Sequence, residues 1–249
     1  MGQKKLEVKC LCKNFGDSMV LQKIDFYVDA GEFVAVMGQS GCGKSTLLYC
    51  VSGMDRPTAG EIYFDGREML SLSDKEMEKL RLQHMGFIFQ KANFLKNLSI
   101  ADNIVFPAFQ LGGRDRLAIR REAEQMMKRL GIISVADHDI RKVSGGQLQR
   151  AAICRAMINH PDILFGDEPT GALNSSATQE VMDIIGKINR DGTTVLFVTH
   201  DAKVAARADR IIYLEDGRVK DELRLGKYKD PERLEREQKM QKWLGDMKF

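Results

Sequence analysis

Three clusters of residues in this chain have the types and spacing to handle a nucleotide triphosphate. The first, Gly38-Gln39-Ser40-Gly41-Cys42-Gly43-Lys44-Ser45-Thr46, fits G-x-x-x-x-G-K-[ST] between an apolar run ending at Met37 and a helical run ending at Val51. Glycines at this spacing let backbone N–H groups curl around phosphate oxygens at a helix N-terminus. The Lys44 ammonium reaches the β- and γ-phosphates, and the Ser45 hydroxyl is offered to Mg²⁺. Cys42 reads as a small loop residue, not a nucleophile. The second cluster ends the apolar run Ile163-Leu164-Phe165-Gly166 with Asp167-Glu168. Asp167 suits the Mg²⁺ shell, and Glu168 can take a proton from a water attacking the γ-phosphate. The third is Ser144-Gly145-Gly146-Gln147, which opens a helix through Leu148, Ala151, Ala152 and Ile153 and makes a second anion site of hydroxyl, unshielded amides and helix dipole. If the two glycine sites lie on different subdomains, one chain does not readily wrap a single γ-phosphate with both. The economical arrangement is two chains head to tail.

Weaker candidates sit at other strand ends. His200 follows Thr194-Val195-Leu196-Phe197-Val198-Thr199 and could donate to the γ-phosphate; Gln90 follows Gly86-Phe87-Ile88-Phe89 and could touch Mg²⁺ or the lytic water; Phe15 could stack on adenine. On pattern alone each also reads as an ordinary strand-end or packing residue.

The elements that must position these groups follow from periodicity. Phe33–Met37, 163–165 and Thr194–Val198 read as buried parallel strands, whose carboxyl ends gather ligands in open α/β sheets. Asp65-Gly66 and Asp216-Gly217 read as hairpin turns of a β-subdomain. Ile119, Ala123, Met126, Met127 and Leu130 recur at helical spacing up to Gly131, and a second helix follows Asn174 with Val181, Ile184, Ile185 and Ile188 inward. Residues from about 91 to 160 therefore read as a helical insertion in a domain spanning 1–220. In the charged tail, 221–249, Met240, Trp243, Leu244 and Met247 form a stripe that reads as packing on the chain's own body in preference to a partner.

Composition sets the class. The 249 residues are 43% hydrophobic and 29% charged, and 38 basic against 35 acidic residues give a net charge of +3, too balanced to imply a nucleic-acid partner. Five cysteines with no secretory leader point to a reducing compartment, and no run approaches the roughly 20 apolar residues of a membrane span.

Together, these residues resemble the nucleotide-binding subunits of ABC transporters over most of residues 5–220. Phe15, the Walker A loop Gly38–Thr46, the Q-loop Gln90, the signature Val143-Ser144-Gly145-Gly146-Gln147, the Walker B strand with Asp167 and Glu168, the D-loop Gly171-Ala172-Leu173-Asn174 and the H-loop His200 occur in family order. Val143 stands where Leu is more usual, and Asn174 replaces the usual Asp. The resemblance implies a P-loop α/β fold with a mixed, mostly parallel core sheet, an antiparallel β-subdomain and an inserted helical subdomain. It also implies ATP and Mg²⁺ as cofactors, a head-to-tail homodimer around two ATP, and a separate membrane permease. Residues 97–107 and 170–175 look like the macrolide-export and lipoprotein-release branch, especially its bacitracin-type peptide-antibiotic resistance members. This implies a peripheral protein on the cytoplasmic face of the membrane, with Phe94, Leu95 and Leu98 as permease contacts or, equally, as local core. A regulatory ATPase of cell-division type, moving no solute, is the alternative.

Overall fold

The structure, a computed structural model, describes residues 2–247. The chain divides into two compact units: residues up to Ser73 together with those from Gly186 onward, and Asp74–Ile185.

In the first unit, alternation of apolar and polar residues shapes two long strands, β1 (Lys4–Phe15) and β2 (Ser18–Asp29). Leu6, Val8, Leu11, Leu21, Ile24, Phe26 and Val28 turn inward and are buried, while Lys9, Lys23 and Asp25 face water. With β4 (Ala59–Phe64) and β5 (Arg67–Glu68) they form an antiparallel sheet in the order β2-β1-β4-β5. Asp65 and Gly66 join the last two strands with φ of 49° and 77°, the left-handed pair that a two-residue turn needs.

Strands β3 (Phe33–Met37), β8 (Thr194–Val198) and β9 (Arg210–Glu215) run parallel in the order β9-β3-β8. Every residue of β3 and β8 is buried, as befits parallel strands covered on both faces. Asp216-Gly217 turns β9 into the antiparallel β10 (Arg218–Arg224). The sequence reading put this hairpin in the β-subdomain; instead β9 extends the buried sheet, with Ala35 opposite Ile211. The reason is compositional. Ile211, Ile212, Tyr213 and Leu214 are apolar on both faces, which a sheet with one wet side cannot bury.

Helix α1 (Lys44–Val51) follows β3, and the short α7 (Ala202–Ala205) follows β8. At the C-terminal end, Pro231 opens a single turn that leads into α8 (Arg233–Asp246). Met240 and Leu244 are buried, and the Trp243 indole N–H donates to Asp221 (2.8 Å) while its ring meets Tyr213 edge-on. The buried Arg236 guanidinium donates to the carbonyls of Ala206, Ala208, Leu225 and Gly226. The tail stripe thus packs on the unit's own body.

The second unit holds α2 (Asp74–His84), the parallel pair β6 (Met85–Phe89) and β7 (Ile163–Asp167), and three helices between them: α3 (Ile100–Leu111), α4 (Arg116–Arg129) and α5 (Gly145–Met157). Its later boundary falls within α6 (Ser175–Arg190). Ile104, Val105, Ala108, Ile119, Ala123, Met127, Ala151 and Ala152 interlock as the helical core. Ser99 caps α3 by accepting from the Asp102 N–H (3.1 Å). Pro107 carries a helix-breaking signal, yet α3 runs on to Leu111. Burial of Val105 and Ala108 outweighs the one backbone hydrogen bond that the proline removes. Phe94, a candidate partner contact, lies in this core beneath the Arg155 guanidinium (4.5 Å to the ring), whereas Leu95 is exposed.

Candidate functional site

The glycine loop belongs to the first unit. Its conformation demands glycine at Gly38 and Gly43, with φ of 154° and 101°. A side chain on Gly38 would strike the Leu214 carbonyl, and one on Gly43 would sit 2.9 Å from a Leu21 methyl. The loop is thereby pressed against β2 and β9. Lys44, largely buried, aims its ammonium back into the loop and donates to the carbonyls of Gly38 and Gln39 (both 2.8 Å). The Cys42 sulfur lies 4.0 Å from that amine, and burial pushes its thiol upward, favouring the protonated form. Gly41 and Ser40 are exposed at the loop's crest, and Ser45 and Thr46 begin α1.

Two further candidates share this unit. Thr199 donates its N–H to the Val36 carbonyl (3.1 Å), so His200 emerges beside the point where β3 becomes the loop, and its side chain is exposed. Phe15 stands at the tip of the β1–β2 hairpin, 54% exposed, with the Lys13 amine 4.8 Å from its ring centre. The same hairpin touches the loop through Val20 and Leu21.

The second unit carries the acids. β6 and β7 run in register with Phe89 opposite Asp167, so the next residues, Gln90 and Glu168, leave the two strand ends side by side. Glu168 has a left-handed backbone, φ 49°, unusual for a non-glycine residue and typical of functional turns. Its carbonyl accepts from the Gly171 N–H (3.0 Å), folding the chain back beneath Gln90. A methyl group on Gly171 would come 2.8 Å from the Gln90 side-chain nitrogen. Gly171 therefore keeps open the space that the carboxamide occupies.

Ser144, Gly145, Gly146 and Gln147 form the start of α5 as a capping box. The Ser144 hydroxyl accepts from the Gln147 N–H (3.3 Å), and the Gln147 side-chain oxygen accepts from the Ser144 N–H (3.1 Å). Ser144 and Gly145 are exposed, and the two glycines sit near Leu173 and Ala177. Asn174, the departure from the usual Asp, caps α6: its side-chain oxygen accepts from the Ala177 N–H (2.9 Å). Aspartate makes the same cap, so Asn174→Asp should leave stability unchanged and Asn174→Ala should lower it by about 1 kcal/mol, read from urea midpoints.

Sequence reasoning passed over two residues here. Gly171 was quoted only as part of a motif. Gln149, in the helix that follows the third cluster, is almost fully buried and donates to the carbonyls of Phe89 (3.2 Å) and Pro169 (2.5 Å). The available signal was a long polar side chain on the inward face of α5.

A strand–glycine loop–helix unit, combined with an acid-ended strand and a helix opened by Ser-Gly-Gly-Gln, defines the ATP-binding cassette class of P-loop proteins. The ABC transporter family model matches residues 21–171, and the chain belongs to that family. It is 44% identical over 218 residues to a macrolide export ATP-binding/permease protein, MacB, of Rhodopseudomonas palustris, covering 86% of this chain. The match takes in 33% of that relative, so the chain spans about a third of its length. It is 41% identical to the lipoprotein-releasing system ATP-binding protein LolD 2 of Rhodospirillum rubrum, over 86% of this chain and 95% of that one. The fold matches the dimeric, post-hydrolysis ATP-binding cassette MJ0796 bound to ADP and Pi with a TM-score of 0.83 at 37% identity, covering 90% of this chain and all of that one. The fold is therefore that of an ABC ATPase, and the family binds ATP.

Proposed function

We propose that this chain is the ATP-hydrolysing subunit of a transporter, two copies of which close head to tail around two ATP molecules and drive a membrane permease. The observation that carries this reading is the pairing of Gln90 and Glu168 at adjacent strand ends in a chain that also bears a complete phosphate loop. The dimeric cassette of the similar structure supports the two-copy arrangement, and the printed names of MacB and LolD support a membrane partner. Among the described residues no helix is long and apolar enough to cross a membrane. The macrolide-export name supports export of a lipophilic compound, with the chain at the cytoplasmic face of the membrane.

By the family resemblance, the Ser45 hydroxyl, the Asp167 carboxylate and the Gln90 carboxamide would each offer Mg²⁺ an oxygen of the hard kind it prefers. When bound, the ion would neutralise charge on the transferring phosphoryl group. The remaining roles fall to this chain. Loop amides and the Lys44 ammonium hold the phosphates, and Phe15 stacks on adenine. Glu168 accepts the proton of the attacking water while Gln90 and His200 orient the γ-phosphate region. Ser144, Gly145, Gly146 and Gln147 of the opposite copy close over the same phosphate.

Two results test this. Phosphate release per mole of chain should rise with protein concentration, because the competent species is a dimer; a per-mole rate constant across the nanomolar to micromolar range would contradict it. Gly171→Ala should lower kcat about tenfold by displacing Gln90 while leaving nucleotide affinity unchanged, measured by steady-state kinetics and titration with a fluorescent ATP analogue.

A further inference from the structure

Catalytic loops need a rigid frame, and the helical unit contains one polar side chain whose role the reaction scheme leaves open. Gln149 sits on α5, five residues after Ser144, and only 3% of its surface is exposed. Its carboxamide nitrogen donates to Phe89 O at 3.2 Å and to Pro169 O at 2.5 Å. Phe89 immediately precedes Gln90, and Pro169 immediately follows Glu168. One buried group therefore spans the last residue of β6 and the first turn after β7, at the level where these strands release the two reactive side chains. The backbone of α5 is the same rigid rod that carries the Ser144–Gln147 cap at its other end.

We propose that Gln149 is a positioning residue that locks the Gln90 and Glu168 loops to the signature helix, so that a shift of that helix is felt at both. This rests on the hydrolytic reading given above and deepens it. The Pro169 carbonyl accepts in a buried setting and the Phe89 carbonyl in a partly buried one, so a donor withdrawn is not readily replaced by water at the first. A left-handed Glu168 is a backbone state that persists only where its surroundings over-determine it, and the Pro169 anchor is one such constraint. Leucine at 149 fills nearly the same volume and donates nothing; glutamate also fits, and burial between two carbonyls leaves it at most one O–H to donate where the amide donates twice.

The test is steady-state kinetics on the full chain carrying Gln149→Leu or, separately, Gln149→Glu. In both, kcat should fall about 30-fold, with the KM for MgATP within twofold of the parent, since a 0.5–1 Å misplacement of reacting groups acts on the chemical step. Circular dichroism melting identifies which variant is folded, and the kinetic comparison is read on that one. A residue that only supported the fold would lower the melting temperature and leave kcat per folded molecule intact. A folded variant whose kcat stays within threefold of the parent would overturn the proposal. Failure of the underlying reading looks different: the parent chain would then release no phosphate from MgATP, or Glu168→Gln would match it.

Discussion

Glu168→Gln, mixed with MgATP, should elute as a stable dimer and release phosphate at least about 100-fold more slowly than the parent chain, because it removes the group that accepts the proton from water. The substitution keeps shape and hydrogen-bonding capacity, so nucleotide capture and dimer closure persist while the chemical step does not. Closure and opening are normally linked through hydrolysis; with that step blocked, the closed form accumulates. Two features make Glu168 the expected base. It leaves β7 beside Gln90 at the end of β6, and its left-handed backbone sets the direction of its side chain apart from that of Asp167 one residue earlier. Light scattering with and without ATP reads the dimer, and a coupled phosphate assay reads the rate. A variant that stays monomeric with ATP, or that turns over at the parent rate, would remove Glu168 from this role.

Lys44→Ala should weaken ATP binding about 100-fold, measured by calorimetry in the presence of Mg²⁺. The ammonium is held by two loop carbonyls, Gly38 and Gln39, at 2.8 Å each. Those contacts aim it inward, where phosphate oxygens would compete for its protons. A hydrogen bond to a charged group contributes about 1.5–3 kcal/mol, which alone spans roughly 10- to 150-fold in affinity. Loss of the amine also removes the tie that holds the loop's own carbonyls together, so the preformed cradle loosens at the same time. Arginine is no substitute here: its planar fork cannot reproduce a compact charge in a pocket where Lys44 is already largely buried. Unchanged affinity in the alanine variant would place the triphosphate elsewhere.

Much of the fold was legible because local chemistry and tertiary environment agree. Phe33–Met37 and Thr194–Val198 match β3 and β8 residue for residue, since continuous apolar runs bounded by polar clusters have few other solutions. The Asp-Gly turns were legible because only such pairs adopt two successive positive φ values readily. What was misread depended on partners distant in sequence. The β9–β10 hairpin looks like any other from within; only its parallel pairing with β3, more than 170 residues away, assigns it to the buried sheet. Pro107 carries a local stop signal that core burial overrides, while Phe94, equally open in the sequence as partner contact or local core, is assigned to the core by its packing under Arg155. In the candidate site, the glycine loop, the Asp167-Glu168 pair and the Ser144–Gln147 helix start stood out by type and spacing, whereas Gln90, His200 and Phe15 were picked out by the family resemblance. Gln149 and Gly171 stood out by neither, because their roles are contacts: a buried donor between two carbonyls, and a hydrogen where a methyl would displace Gln90.

In the proposed dimer each triphosphate is shared between copies, with Lys44 from one and the Ser144 cap from the other. A crystal structure of the Glu168→Gln chain bound to ATP tests it most directly. The expected result is a two-fold dimer in which every γ-phosphate lies within hydrogen-bonding distance of Lys44 from one chain and of Ser144 and Gly146 from its neighbour. A γ-phosphate contacted by Lys44 and Ser144 of the same chain, or a Ser144 facing solvent in a closed, nucleotide-filled site, would contradict it.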